Sequence, residues 1–448
     1  MWSFSNKSHE CWRNGRYGLN EAIRVGFIGC GVVGGAAARI IAEHSRALEE
    51  RCGARIEIKL IAVRSLAKDR EVSLPDRAFT TDPFEVVSDP DIRIVVEAMG
   101  GIEPALDLIL TAIKNGKHVV TANKELMSTM GRDVVEAAES AGVDVLFEAA
   151  VGGGIPIIRP IKESLAGDRI RRVMGIVNGT TNYILTRMSE RGEGFAEALG
   201  EAEALGYTEL DPSADIEGFD AAQKTAILSS IAFNVLVVAG DVQREGIARI
   251  SAQDISAAHE LGYEIKLLSV SEVADGTIAA RVHPAMIPRT HPLANVRDVF
   301  NAVFVEGEES GELMFFGRGA GGGPTGSAIV GDVAEVARHI VSGGTSIGWT
   351  HRERARITPL DSVMVRYYVV LSVLDEPGVL SAVAGVFAHH GVSIASVRQE
   401  GSGDGATLAV ITHAGTEGRH SKTFQDLNAL DVVKAVESRI RVVGTEEL

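Results

Sequence analysis
Over the first third of the chain, short apolar runs alternate with stretches in which apolar residues recur at helical spacing. The runs stand in "IRVGFI", "IEIKLIAVRS", "DIRIVVEAMGG", "GKHVVTANKEL" and "VDVLFEAAVGGG". Each is short enough for a buried strand, and the alternation predicts a parallel sheet with helices on both faces. From 168 to 315 the pattern changes to strands such as "IRRVMGIVNGTTNYIL" and "TIAARVHPAMI" with helices between, an α+β arrangement. After the polar stretch "THRERARITPLDS" a third unit opens at Met364, with strand, turn, amphipathic helix and strand signals running on to Val443. The first twenty residues are polar and read as a disordered arm. No repeat of 20 to 50 residues stands out, so solenoids and propellers are set aside.

The first strand leads into Gly29-Cys30-Gly31-Val32-Val33-Gly34 and then into small and apolar residues at helical spacing. This is GxGxxG between a strand and a helix, a dinucleotide-binding signature. Gly29 permits the tight turn and Gly31 lets the backbone approach a pyrophosphate. Past Val33, Gly34 lets helix and strand pack, with the helix N-terminus facing the phosphates. The alternative is a glycine turn that binds nothing. Cys30 reads as a small residue filling that turn. Cofactor chemistry belongs at the carboxyl ends of the strands, where Arg64, Gly100 and Lys124 fall. The second strand ends in Arg64-Ser65 with Lys68 nearby and Asp69 only afterwards, cations that suit a 2′-phosphate and favour NADP over NAD. Lys124 in "TANKE" can meet a nicotinamide ribose or a substrate carboxylate, or can be a helix-start lysine in solvent. His118, inside a strand, reads as a core or edge histidine.

The stretch "YTELDPSADIEGFDAAQK" gathers Glu209, Asp211, Asp215, Glu217 and Asp220 ahead of Lys224, with no basic residue between Arg191 and Lys224. Clustered acids either stay solvated or hold a cation. Asp220 and Lys224 lie four apart near the start of the helix "FDAAQKTAILSSIAF", so they share a face. An exposed pair there would be worth a few tenths of a kcal/mol. The apolar continuation of the helix argues instead for a buried setting. A carboxylate-held lysine stays charged and can polarise a carbonyl or pass a proton. Glu209 or Asp215 could receive the ammonium of an amino-acid substrate.

Composition narrows the field. The 448 residues are 45% hydrophobic and 23% charged, enough for two or three globular domains, and the formal charge of -16 disfavours nucleic acid and anionic membrane surfaces as partners. Nothing in the chain has the length and apolarity of a bilayer span. Cys11, Cys30 and Cys52 share no metal-ligand spacing and suit a reducing compartment, so a cytoplasmic protein is expected.

Taken in order, "GFIGCGVVGG", "TANKE", "FEAAVGGGIPIIRPI", "NGTTNYIL", "ALGYTELDPSADIEGFDAAQK" and "GRGAGGGPTGSAIVGD" resemble homoserine dehydrogenases over roughly residues 24 to 340. With too little chain ahead of Arg24 for a fused kinase, a monofunctional enzyme is expected. The resemblance implies an oxidoreductase that interconverts L-aspartate 4-semialdehyde and L-homoserine with NADP or NAD, on the route to threonine, methionine and isoleucine. It makes Lys224 the acid/base lysine and Asp220 its partner. Glu209 would bind substrate with help from Tyr207 and Asp215, and Lys124 would stand between cofactor and substrate. It returns the chain to the nucleotide domain at 317–345, where Gly321 approaches the cofactor. It also implies a monovalent cation, Na or K, held by carbonyls of Glu148, Val151, Gly153 and Ile155.

Residues 364 to 445 resemble an ACT domain, a βαββαβ regulatory module that binds amino acids at an interface between copies. Asp375 and Gly378 in "DEPGVL" would then lie near an effector, with threonine expected, and the chain would form a dimer or tetramer. A module used only for dimerisation is the alternative. The expected architecture is α/β overall. A Rossmann-like dinucleotide-binding domain (21–150 with 317–345) follows an arm (1–20). An α+β substrate and dimerisation domain (151–316), a linker (346–363) and the ACT domain (364–448) complete the chain. Two rival functions remain open: a non-catalytic amino-acid sensor on a nucleotide-binding scaffold, and a dehydrogenase of another amino acid or semialdehyde.

Overall fold
The structure, a computed structural model, describes residues 22–443 apart from 68–69, 71, 73, 209–210, 347, 349–352 and 402–404. The expected arm, Lys68 and Glu209 therefore lie outside the described residues. Contacts divide the chain into two units, one holding the residues to Gly167 with Asn234–Leu236 and Gly317–Glu353, the other Asp168–Phe233, Val237–Phe316 and the chain from Arg354 on. No helix among the described residues is long and apolar enough to cross a membrane.

In the first unit six parallel strands form one sheet: β1 (Ile23–Ile28), β2 (Ile56–Ala62), β3 (Phe79–Thr80), β4 (Ile92–Glu97), β5 (His118–Thr121) and β6 (Val145–Leu146), ordered β3-β2-β1-β4-β5-β6. Helices cover both faces, which is why Ile23, Val25 and Phe27 of β1 are all fully buried and the strand reads as a continuous apolar run. The strand order reverses between β1 and β4, a switch point that opens a crevice at their carboxyl ends. The helix Gly322–Ser342 belongs to this unit and lays Ile329, Val333, Val336 and Ile340 into the same core as β1. His118 is a core residue whose Nδ1 accepts the Asp144 backbone N–H at 3.0 Å.

The second unit is built on a longer sheet. Its strands are β7 (Ile170–Ile176), β8 (Gln243–Arg244), β9 (Tyr263–Ala274), β10 (Thr277–Pro288), β11 (Phe300–Gly307) and β12 (Gly311–Arg318), followed by β13 (Met364–Val365), β14 (Tyr367–Val373), β15 (Ile394–Glu400), β16 (Thr407–Thr412), β17 (Gly415–Thr416) and β18 (Val433–Val442). The order runs β12-β11-β7-β9-β10-β18-β14-β16-β15, with β8 also on β10 and a separate β13–β17 ribbon. The helix Phe219–Phe233 is tied to β9 by buried hydroxyls, Thr225 to Ser269 at 2.7 Å and Ser229 to Ser271 at 2.6 Å.

With the helices Val379–His389 and Glu417–Asn428, strands β14, β15, β16 and β18 make a βαββαβ module around Val369, Leu371, Val383, Phe387, Leu408 and Leu427. Sequence reading expects this module as a body of its own behind a linker. Instead its last strand pairs with β10, Ala285 to Arg441 and Met286 to Val442, and the sheet runs through. The supposed linker is also pinned, since Ile278 N–H donates to the Arg356 carbonyl at 2.8 Å and Thr358 N–H to the Ile278 carbonyl at 2.9 Å. The physical reason is that β10, already paired to β9, has a second edge whose peptide groups need partners, and β18 supplies part of them.

Candidate functional site
The chemistry of the second unit gathers where β7 ends. Asn178 caps the helix Gly179–Arg191, its Oδ1 accepting the Thr181 N–H at 2.8 Å. That leaves its amide donors for two carboxylates, Asp215 at 2.7 Å and Asp220 at 2.8 Å. Asp220 also accepts from the Lys224 ammonium at 2.7 Å, and the same ammonium donates to the Val177 carbonyl at 2.7 Å. Asp220 and Lys224 are each only 9% exposed, so the pair is buried and not the exposed i,i+4 contact that the helix spacing alone would allow. Burial, reinforced by the negative charge of Asp220, pushes the Asp215 carboxyl up, although the Asn178 hydrogen bond opposes it. Tyr207 holds the other end of the acidic loop. Its carbonyl accepts from Thr180 Oγ1 at 2.7 Å and its ring sits edge-on to Tyr183 at 4.9 Å, leaving it 42% exposed. Lys224, Asp220 and Asp215 are thus brought together on one asparagine.

In the first unit the loop after β1 takes the form that its glycines demand. Gly29 has φ +100°, and a Cβ there would meet the Ala98 carbonyl oxygen at 2.6 Å, while one on Gly34 would meet the Gly29 carbonyl oxygen at 2.4 Å. A Cβ on Gly31 would meet nothing within 4 Å, and Val32 beside it is 79% exposed, so the helix start at Val32 faces open space. These residues fit a dinucleotide pyrophosphate. Val33 and Cys30 instead turn toward the core, and burial pushes the Cys30 thiol up, the opposite of an activated thiolate.

Arg64 is exposed two residues past β2. Gly100, with φ +75°, lies in a loop fixed by buried Glu97, whose carboxylate accepts the N–H groups of Met99 (2.8 Å) and Gly100 (3.1 Å) and the Thr121 hydroxyl (2.5 Å). Lys124 opens the helix Lys124–Ala141, capped by Asn123, whose amide also reaches the Gly101 carbonyl at 2.6 Å. Gly321, φ +116°, caps the returning helix, and Gly326 of that helix approaches Ala37 too closely for any side chain.

Residues 148–155 wrap through two left-handed glycines, Gly152 and Gly153, and a Cβ on Gly153 would strike the Gly319 carbonyl at 2.4 Å. Glu148 spends its buried carboxylate on the backbone N–H groups of Ile157 (2.5 Å), Ile158 (2.7 Å) and Arg159 (2.9 Å). Its own N–H donates to Asp332 at 2.8 Å. Among the described residues no group of three His, Cys, Asp or Glu side chains could hold a metal. In the C-terminal module Asp375 is exposed, and Gly378, φ +95°, starts the helix Val379–His389.

Asn178 and Glu97 were not singled out from sequence. Their signals are an asparagine at a strand-to-helix junction and an acid ending an otherwise apolar strand.

A switch-point sheet with an open GxGxxG loop, and a buried lysine held by a carboxylate and a backbone carbonyl, define a nicotinamide-dependent oxidoreductase acting on a CH–OH group. Comparison with known proteins gives the family. Residues 29–148 match the homoserine dehydrogenase NAD-binding domain, 156–334 the homoserine dehydrogenase domain and 367–432 the ACT domain. A homoserine dehydrogenase of Mycobacterium tuberculosis is 48% identical over 439 residues, 96% of this chain and 99% of its own length. The crystal structure of a homoserine dehydrogenase from Thiobacillus denitrificans, 39% identical, covers 94% of this chain and 98% of its own with a TM-score of 0.88. A hyperthermophilic archaeal homoserine dehydrogenase in complex with NADPH, 29% identical, covers 70% of this chain and 98% of its own with a TM-score of 0.59. The chain belongs to the homoserine dehydrogenase family.

Proposed function
We propose that this chain interconverts L-aspartate 4-semialdehyde and L-homoserine with NADP preferred to NAD, in the biosynthesis of threonine, methionine and isoleucine, and that threonine restrains it through the ACT module. The observation that carries the reading is the cluster of buried Lys224, Asp220 and Asn178 with half-buried Asp215. A bound nicotinamide would supply or accept the hydride. Lys224 has three N–H donors and spends two on Asp220 and Val177. The third is left for the substrate oxygen, where the ammonium supports and protonates the developing alkoxide during reduction, while in oxidation the neutral amine would take the hydroxyl proton. Asp215 is a desolvated carboxylate in search of a cation, and with Glu209 it suits the substrate ammonium, with Tyr207 bordering the pocket.

In the nucleotide-binding unit the loop Gly29–Gly34, Gly100 and Gly321 would approach the dinucleotide. Lys124 would reach from it toward the substrate, and Arg64 with Lys68 would take the 2′-phosphate. The NADPH complex of the archaeal relative supports that preference. A sodium or potassium ion would be held by the carbonyls of Glu148, Val151, Gly153 and Ile155 and would keep that loop ordered. Asp375 and Gly378 would meet the effector, and the module that carries them suits a homo-oligomer.

Steady-state oxidation of homoserine with each oxidised cofactor, with and without threonine, tests the reading. NADP-favoured turnover on homoserine, inhibited by threonine, is the expected result. Turnover confined to another hydroxy amino acid would give the site to the rival dehydrogenase, and no turnover on any would give it to the sensor.

A further inference from the structure
We propose that an arginine-lined cavity in the second unit, bounded by β8, β10 and β18, is a binding site for a small phosphorylated molecule, separate from Lys224 and from the Asp375–Gly378 turn. The cavity has a volume of about 530 Å³ and is lined by Arg244, Arg249, Arg281, Arg439 and Arg441. In a chain of net charge -16 such a collection is unusual, and like charges held together without counter-ions repel.

Only part of this charge is answered from within. Arg281 pairs with Glu272 at 2.6 Å, and Arg441 with Glu417 at 2.9 Å and Glu245 at 2.7 Å. The guanidinium carbon of Arg244 lies over the Phe219 ring, 3.6 Å from its centroid. Neither it nor Arg249 nor Arg439 has a carboxylate within ion-pair distance among the described residues, although Glu217 and Glu245 also line the cavity.

Two buried residues add to the cavity's edge. Arg281 and His283, 8% and 4% exposed, border the cavity, while Arg281 Nε and His283 Nε2 are themselves sealed from solvent and have no hydrogen-bond partner among the described residues. Burial, with Arg441 and Arg281 nearby, keeps His283 neutral, and its Nδ1 donates to the Pro284 carbonyl at 3.0 Å, so the histidine adds no charge of its own beside the arginines. A carboxylate fills one guanidinium fork. A phosphate group can take several at once, which selects the ligand class. Ile216 and Glu217, directly after Asp215, also line the cavity, and Ile247 N–H donates to the Ile216 carbonyl at 2.9 Å.

The test is calorimetric titration of the full chain with inorganic pyrophosphate, in the presence of saturating NADPH so that the Gly29–Gly34 loop is already filled. One saturable site is expected, weakened by roughly tenfold or more in the double variant Arg249→Ala/Arg439→Ala, since each lost charge-assisted contact is substantial. Both residues are exposed, so the variant should keep the wild-type circular dichroism and melting temperature. Absence of saturable binding, or equal affinity in a folded double variant, would overturn the proposal.

Discussion

At the residue scale, a buried ammonium survives only where acceptors replace its water, and Lys224 has two, one charged and one neutral. Lys224→Ala is expected to lower turnover by about 10²- to 10⁴-fold with cofactor affinity near wild type, because the lysine acts on the reacting oxygen. Rapid-reaction measurement of NADPH binding beside steady-state turnover checks this, and weakened NADPH binding with intact turnover would remove Lys224 from the chemistry. Asp220→Asn should impair turnover as well, since it deprives the ammonium of its charged acceptor. Arg64 makes a different claim. Exposed beyond β2, it has room for a 2′-phosphate. Arg64→Ala should therefore raise KM for NADPH far more than for NADH, and equal changes would mean that the side chain serves neither cofactor selectively.

The element that joins most of the nucleotide unit is the helix Gly322–Ser342. Its buried Asp332 receives the Glu148 N–H, and burial, aided by the neighbouring Glu148 charge, pushes its carboxyl up to about 8. A carboxyl raised from the ordinary value of 3.8 binds its proton more tightly folded than unfolded. Its stabilisation is whole below the unfolded value and drains away as pH climbs to the folded one, by up to about 1.4 kcal/mol per pH unit. Asp332→Asn cannot ionise and can still accept the Glu148 N–H. Its melting temperature should therefore gain on the wild type between about pH 6 and pH 8, as scanning calorimetry would record. Parallel pH dependence in the two proteins would mean that Asp332 is ionised throughout. At this scale sequence is informative about the elements but silent on their ties. The GxGxxG loop was legible because only glycine permits such close approach. The bond between residues 148 and 332 was not, because nothing local marks which helix will meet a loop so distant in the chain.

Across the whole molecule, the C-terminal module carries its own βαββαβ core and yet shares a sheet with the substrate region through β10 and β18. Deleting residues 364–448 should leave homoserine oxidation measurable and abolish inhibition by threonine, since an effector acts only through its differing affinity for active and inactive arrangements. The deletion also bares the β10 edge at Ala285 and Met286 and should lower the melting temperature and promote association. Threonine titration of intact and truncated protein, followed by size-exclusion chromatography, separates these effects. Inhibition that survives the deletion would put threonine at the substrate site.

What the sequence determined by itself is whatever short-range spacing and stereochemistry dictate. The apolar runs became β1, β2, β4 and β5, Gly29 and Gly34 took the close approaches that only glycine allows, and Asp220 and Lys224 met because residues four apart share a helix face. Tertiary structure decided what depends on packing between distant segments. It buried that pair, brought Asn178 onto both Asp215 and Asp220, set Glu148 against Asp332, and carried the sheet from β10 into β18. Each of these satisfies a buried charge or peptide group whose partner lies far along the chain, a demand that hydrogen bonding makes obligatory but that no local pattern records.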